Sequence, residues 1–251
     1  GEDLSTRGTP LRLRRGSTES VLRAVVEETG AGAVYFSRGY ESWAVGLEQR
    51  LHAALGGAGV EVKRFPGRLL LEPDQVRTRS GDVYKVFTPF WRACLEHLPP
   101  KAPSPAPAAL TPFEGSVASD ALRDWQLLPR TPDWSGGLAA TWQPGEAGAA
   151  DCLDRFLEAA IDDYGSARDI PGQRGTSRLS PHLHFGEISP RQVWQAVADR
   201  FGGDTTDTRA AAFLREIGWR EFSHHLLAEW PGIPDRNFKQ EFDDFPWRED
   251  D

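Results

Sequence analysis

Apolar positions recur along this chain with two different periods, and the change of period marks its organisation. Near the start, Val21, Leu22, Val25 and Val26 fall on one side of a helical wheel. Ser17 stands before them as a cap and Gly30 follows, which predicts a helix ending at Thr29. Residues 32–37 (GAVYFS) form a short apolar run of the buried parallel-strand type. Residues 41–55 predict a second amphipathic helix, closed by Gly56 and Gly57, and residues 60–65 (VEVKRF) another strand. This β–α–β rhythm predicts part of an open α/β sheet with crossover helices, with too few strands for a complete doubly wound domain. Residues 69–71 and 83–87 read as strands or loop segments. Residues 88–98 read as a helix with Pro89 in its first turn.

Residues 99–107 (PPKAPSPAP) are stiff and polyproline-like. The tract continues to about residue 150, rich in Gly, Pro and Ser, with Trp125, Trp134 and Trp142 spaced along it. A tract of that length usually joins two domains, and its tryptophans predict that it is pinned onto a surface. From Asp151 the period becomes helical. Leu153, Phe156, Leu157, Ala160, Ile161 and Tyr164 make one amphipathic stripe, with Gly165 closing it. Ser189, Pro190 and Gln192 predict a capping box at the start of a helix that buries Val193, Trp194 and Val197 and ends at Gly202. The longest helix is predicted over residues 208–230.

Composition narrows the class. The chain has 251 residues, 39% of them hydrophobic and 26% charged, as in ordinary globular domains. No apolar run approaches the ~20 residues that span a bilayer, so no membrane partner is expected. Two cysteines, Cys94 and Cys152, are too few for a disulfide framework and lack metal-ligand spacing, which points to a reducing, cytoplasmic setting. Adjacent His224 and His225 point apart on a helix, and with His182 and His184 they lack the spacing of a metal site, so no metal is expected. The net charge of −8 argues against indiscriminate nucleic-acid binding but leaves room for a local basic groove. Residues 164–220 hold eight arginines against six carboxylates, whereas residues 221–251 hold three basic residues against nine acidic ones. The absence of methionine and the glycine at position 1 suggest a piece of a longer protein.

Two strings carry chemistry. In GTSRLS (175–180), the hydroxyls of Thr176, Ser177 and Ser180, the loop amides and the Arg178 guanidinium suit a diphosphate better than a metal. On residue type alone such a turn is commonly a solvated loop. In FLREIGWREF (213–222), a rotation of about 100° per residue brings Glu216, Trp219, Arg220 and Ser223 within an arc of roughly 100°. A Glu–Arg pair at i, i+4 is also ordinary surface stabilisation. Leu214 and Ile217 already supply the apolar flank, so the Glu–Trp–Ser face needs a partner of its own.

The full string GTSRLSPHLHFGEISPRQVW (175–194), together with the second string, resembles the flavin-binding domain of the DNA photolyase/cryptochrome family. YKVFTPFWRAC (84–94) and RGYESWAV (38–45) are similar to that family's antenna domain. The resemblance implies a partial, Rossmann-like α/β antenna domain over residues 1–98, a linker over 99–150, and the first part of an all-helical FAD-binding domain over 151–251. It is most like a class I cyclobutane pyrimidine dimer photolyase, in which light-excited reduced FAD repairs DNA by electron transfer; the alternative is a cryptochrome, a blue-light receptor without repair.

In that family Tyr164, Thr176, Ser177, Arg178, Leu179, Ser180 and Arg220 would hold FAD. Glu216 and Trp219 would act at the lesion, the glutamate on base edges and the tryptophan by packing. Arg168 and Ser223 would join them in binding DNA that carries pyrimidine dimers. Trp247 would end an electron-transfer path, and Glu41 would contact a folate antenna. A second chromophore of folate or deazaflavin type and a monomeric complete protein are implied as well. The family's opening Arg-Arg-Asp-Leu-Arg segment and its later Thr-Gly-Tyr-Pro segment are absent from these residues. By itself this stretch is therefore expected to bind flavin poorly and to lack repair.

Overall fold

A computed structural model describes residues 2–246 and 248. After a short helix α1 (Glu2–Thr6), helix α2 (Thr18–Thr29) starts where expected: the Ser17 side chain accepts a hydrogen bond from the Ser20 amide, and Gly30 closes it at φ 65°. Strand β1 (Ala33–Ser37), helix α3 (Ser42–Gly56) and strand β2 (Glu61–Phe65) form one βαβ unit. The strands pair in parallel, from Ala33 opposite Glu61 to Ser37 opposite Phe65. Leu51, Leu55 and Val60 are buried here, with Leu22, Val26, Val34 and Phe36 packed around them. Only one face is covered, because Tyr35 on the other is 58% exposed. The pattern of a strand buried on both sides is thus half realised.

Residues 69–71 are not a strand. Leu69, Leu70 and Leu71 are buried in an irregular segment. Its backbone groups are satisfied by side chains of the later helices α9 (Pro190–Arg200) and α10 (Thr208–Glu229) instead of a ladder. Glu221 Oε2 accepts from the Leu70 and Leu71 amides at 2.7 and 3.3 Å. Arg220 donates to the Arg68 carbonyl at 2.7 Å, Arg191 to the Leu69 and Leu70 carbonyls at 3.4 Å, and His225 Nε2 to the Leu71 carbonyl at 3.2 Å. Burial pushes the Glu221 carboxyl up to about 8, while Arg220 and the two amides pull the other way.

Helix α4 (Phe87–Leu95) begins one residue before its predicted start and buries Phe87, Phe90 and Cys94. These join Leu70, Leu71 and Val76 in one core with Leu153, Phe156, Val193, Trp194, Phe213 and Phe222, so packing crosses the expected domain boundary near residue 98. The proline-rich tract is exposed and irregular over residues 99–107. It then returns along the N-terminal segment, where Asp120 donates its amide to the Leu13 carbonyl at 2.7 Å. Trp125 is held by Asp120 and lies beneath Arg15, and Trp142 lies beneath Arg178, but Trp134 remains 66% exposed. A short helix α5 (Gly136–Thr141) and the start of α6 (Glu146–Ala159) lie within the stretch expected to be linker.

The apolar stripe ending at Tyr164 is two helices rather than one. Helix α6 stops at Ala159, where the Ala160 and Ile161 amides both donate to the Phe156 carbonyl, at 3.0 and 2.9 Å. The turn buries Ile161 completely and starts α7 (Tyr164–Ala167), with Tyr164 edge-on to Phe156 and Phe213. Helix α8 (Ser180–Phe185) follows the hydroxyl-rich loop and ends at Gly186, φ 73°. Helix α9 carries the predicted capping box, with Ser189 accepting from the Gln192 amide, and α10 is capped by Asp207. No helix among the described residues is long and apolar enough to cross a membrane.

Two outcomes follow. Glu221→Ala leaves two buried amides without acceptors and should cost roughly 3–5 kcal/mol in denaturant unfolding, with Glu221→Gln losing less. Burial lowers His225 from 6.5 to about 4. The native state therefore holds it neutral, and its contribution is full above 6.5 and lost as pH falls toward 4. The melting advantage of the wild type over His225→Gln should shrink across that window, by roughly 3 kcal/mol at most. A pH-independent difference would contradict it.

Candidate functional site

Helices α7 and α8, the latter opened by Ser180, are joined by the loop that contains residues 175–179. Its glycine is dictated by packing: a Cβ at Gly175 would sit 2.6 Å from the backbone of Ala167 in α7. Arg178 adopts φ 56°, an uncommon left-handed conformation for a residue with a side chain. Its guanidinium lies over the Trp142 ring at 4.5 Å. Leu179 is buried as the loop's anchor.

The loop forms one wall of a cavity of about 560 Å³. Thr176, Ser177, Arg178, Leu179 and Ser180 face it from the loop, and Tyr164 from α7. Phe213 and Ile217 give an apolar wall, while Glu216 and Arg220 add charge one turn apart on α10. Across the opening, Glu41 and Arg68 form an ion pair at 3.4 Å beside His224. The expected cradle residues Tyr164, Thr176, Ser177, Arg178, Leu179, Ser180 and Arg220 thus line a single cavity, together with Glu216.

The other expected residues lie at its edge or beyond. Arg168 does not stand free for a phosphate: it pairs with Glu216 at 2.5 Å and lies 5.5 Å above the Tyr164 ring. Trp219 is outside the cavity, stacked on Phe87 at 3.7 Å between centroids and still 44% exposed. Ser223, also exposed, donates its hydroxyl to the Trp219 carbonyl. Helical geometry explains the split, since Arg220 is displaced from Glu216 toward the cavity and Trp219 and Ser223 toward the other flank, at about 100° per residue. Trp247 lies outside the described residues.

Electrostatics favours an anion at the loop. Glu41 is matched by Arg68 and Glu216 by Arg168, while Arg178, a cavity-lining guanidinium that rests on the Trp142 ring, makes no ion pair among the described residues. The Thr176 and Ser180 hydroxyls make no hydrogen bond among the described residues, and Ser177 Oγ accepts one from the Leu179 amide at 3.4 Å. Free hydroxyls, loop amides and one unmatched cation form a donor set suited to a diphosphate. Burial lowers the Arg220 and His224 pKa values and raises that of the Tyr164 hydroxyl. No group of three or more His, Cys, Asp or Glu side chains among the described residues could hold a metal ion.

Sequence reasoning missed several neighbours. Arg68 and Phe87 carry no local signal, since both meet α10 only through the tertiary fold. Glu221 did carry one: on the helical wheel it falls between Leu214 and Ile217, a carboxylate on an apolar flank.

Comparison with known proteins follows the same lines. The family model described as DNA photolyase matches residues 1–108. A deoxyribodipyrimidine photo-lyase of Agrobacterium fabrum is 40% identical over 248 residues, 99% of this chain and 52% of that protein. A class III photolyase structure from Agrobacterium tumefaciens superposes with a TM-score of 0.93 at 40% identity, covering 99% of this chain and 52% of that one. A Synechocystis cryptochrome structure shares the fold, with a TM-score of 0.83 at 22% identity, over 99% of this chain and 52% of its own. The chain spans about half the length of the curated relatives it matches. With an α/β portion and a helical portion that superpose on the 40% identical photolyase structure, the chain belongs to the DNA photolyase/cryptochrome family.

Proposed function

We propose that the full-length protein is a light-dependent photolyase that binds FAD and repairs cyclobutane pyrimidine dimers in DNA. The observation that carries this reading is the gathering of the Thr176–Ser180 loop, Tyr164, Glu216 and Arg220 around one cavity, with the exposed ring of Trp219 beside it. Likeness to the 40% identical class III photolyase favours class III over the class I likeness of the motifs. Residues 1–98 are assigned to the antenna domain, 99–150 to the linker and 151–251 to the helical flavin domain. A cytoplasmic, monomeric protein acting on damaged DNA accords with this assignment, and Glu41 is the residue proposed to meet a folate antenna.

The flavin, when bound and reduced, would supply the light-driven electron that opens the two bonds joining the pyrimidines. This chain's residues hold and orient. The Thr176, Ser177 and Ser180 hydroxyls and Arg178 take the diphosphate, and Tyr164 and Arg220 close the cavity around the cofactor. Trp219 offers an aromatic face that recovers ~1–3 kcal/mol per stacked base, and a poorly stacked dimer costs less to extrude than normal bases. Glu216 accepts from base edges once Arg168 turns from it to a DNA phosphate, and Ser223 adds a hydroxyl beside them.

Replacing Thr176, Ser177 and Ser180 by alanine in the full-length protein should weaken flavin retention at least tenfold, since each charge-assisted hydrogen bond contributes ~1.5–3 kcal/mol. Unchanged flavin content after gel filtration would refute the cradle. Trp219→Ala should lower affinity for dimer-containing DNA roughly ten- to hundredfold and leave flavin absorption intact. Light-dependent loss of dimers from a defined oligonucleotide separates this reading from a cryptochrome, which would bind flavin without repair.

A further inference from the structure

The loop from Gly175 to Ser180 has a second face. Toward α5 and α6 lies another cavity, of about 500 Å³, which shares Thr176, Ser177 and Arg178 with the first. Its remaining wall includes Trp142, Arg155, Glu158 and Arg174. Three guanidiniums and a single carboxylate therefore surround one small space.

None of the three makes an ion pair among the described residues. Arg155 donates only to the Cys152 sulfur at 3.4 Å, Arg178 rests on the Trp142 ring, and Arg174 has no partner. Arg168, Arg200 and Arg209 are by contrast paired, with Glu216, Asp162 and Asp207. The cluster is also not a by-product of cation excess, since the net charge is −8. Like charges converging on a cavity raise its affinity for anions. The planar guanidinium fork matches phosphate oxygens. The volume falls within the ~300–1,000 Å³ typical of small-molecule sites.

We propose that this cavity is a second anion site, which takes the diphosphate of a free nucleotide and grips the loop from the face opposite the flavin cradle. It goes beyond the flavin reading and does not require it, because Arg155 and Arg174 lie outside the first cavity. Occupancy on this face would tie Arg174 and Arg178 together across the loop and so restrain the hydroxyls that face the other way.

The test is calorimetric titration of the full-length, flavin-saturated protein with ADP and with inorganic pyrophosphate. Both should bind, and Arg155→Gln combined with Arg174→Gln should weaken both at least tenfold, about 1.4 kcal/mol. Both residues are exposed, so flavin absorption and the ligand-free melting temperature should stay at wild-type values. Lysine at both positions should restore part of the affinity. Wild-type affinity in the glutamine variant would overturn the proposal. So would abolition of binding by flavin saturation, which would make the cavity the diphosphate end of the flavin site. Displacement of ADP by an undamaged DNA duplex would overturn it too, by making the cavity part of a nucleic-acid track. Loss of flavin retention in the cradle variant with ADP binding intact would leave this site standing on its own.

Discussion

An irregular backbone segment that is buried leaves amides and carbonyls beyond the reach of water, and each must find a partner. In this chain that segment runs from Arg68 to Leu71, and its partners are side chains of α9 and α10, 121 to 154 residues away in sequence. Glu221 supplies the acceptor for two amides, while Arg191, Arg220 and His225 supply donors for the carbonyls. A buried carboxyl group is costly unless it is hydrogen-bonded, and this one is satisfied by the backbone it fixes. The packing of the helical part against the first hundred residues depends on this exchange more than on any strand pairing.

The same exchange positions the cavity. Arg220 donates to the Arg68 carbonyl while lining the cavity, so one side chain fixes both the seam and the site wall. With Arg68 so held, its pair with Glu41 faces the hydroxyl-rich loop across the opening. Helix α10 thus has three functions around its circumference. Leu214 and Glu221 face the core and the seam, Glu216, Ile217 and Arg220 face the cavity, and Trp219 with Ser223 turns outward over Phe87. Glu41 and Glu216 are matched by arginines, while the loop's own Arg178, in a left-handed conformation, has no ion pair among the described residues.

Much of this was legible in residue order. Ser17 with Gly30, the capping box at Ser189 and the period of the long helix fixed their elements closely, because caps and amphipathic stripes act through neighbours three or four residues apart. The failures share a cause. The stripe to Tyr164 looked like one helix because its spacing stayed helical, but burying Ile161 needed a turn that local periodicity does not encode. The segment 69–71 read equally as a strand or a loop, because a run of leucines shows apolarity and not what satisfies its backbone.

By itself, the sequence determined the βαβ unit, the helical second part, and the loop and helix that carry the candidate chemistry. Each follows from local propensity, from capping, or from a string long enough to mark a family. Only the tertiary structure decided that the loop, Tyr164, Glu216 and Arg220 share a cavity with Glu41 and Arg68, that Arg168 is engaged by Glu216, and that Trp219 lies outside against Phe87. Those pairings join residues far apart in the chain, and their geometry is set by which buried polar groups could satisfy one another when the two parts packed.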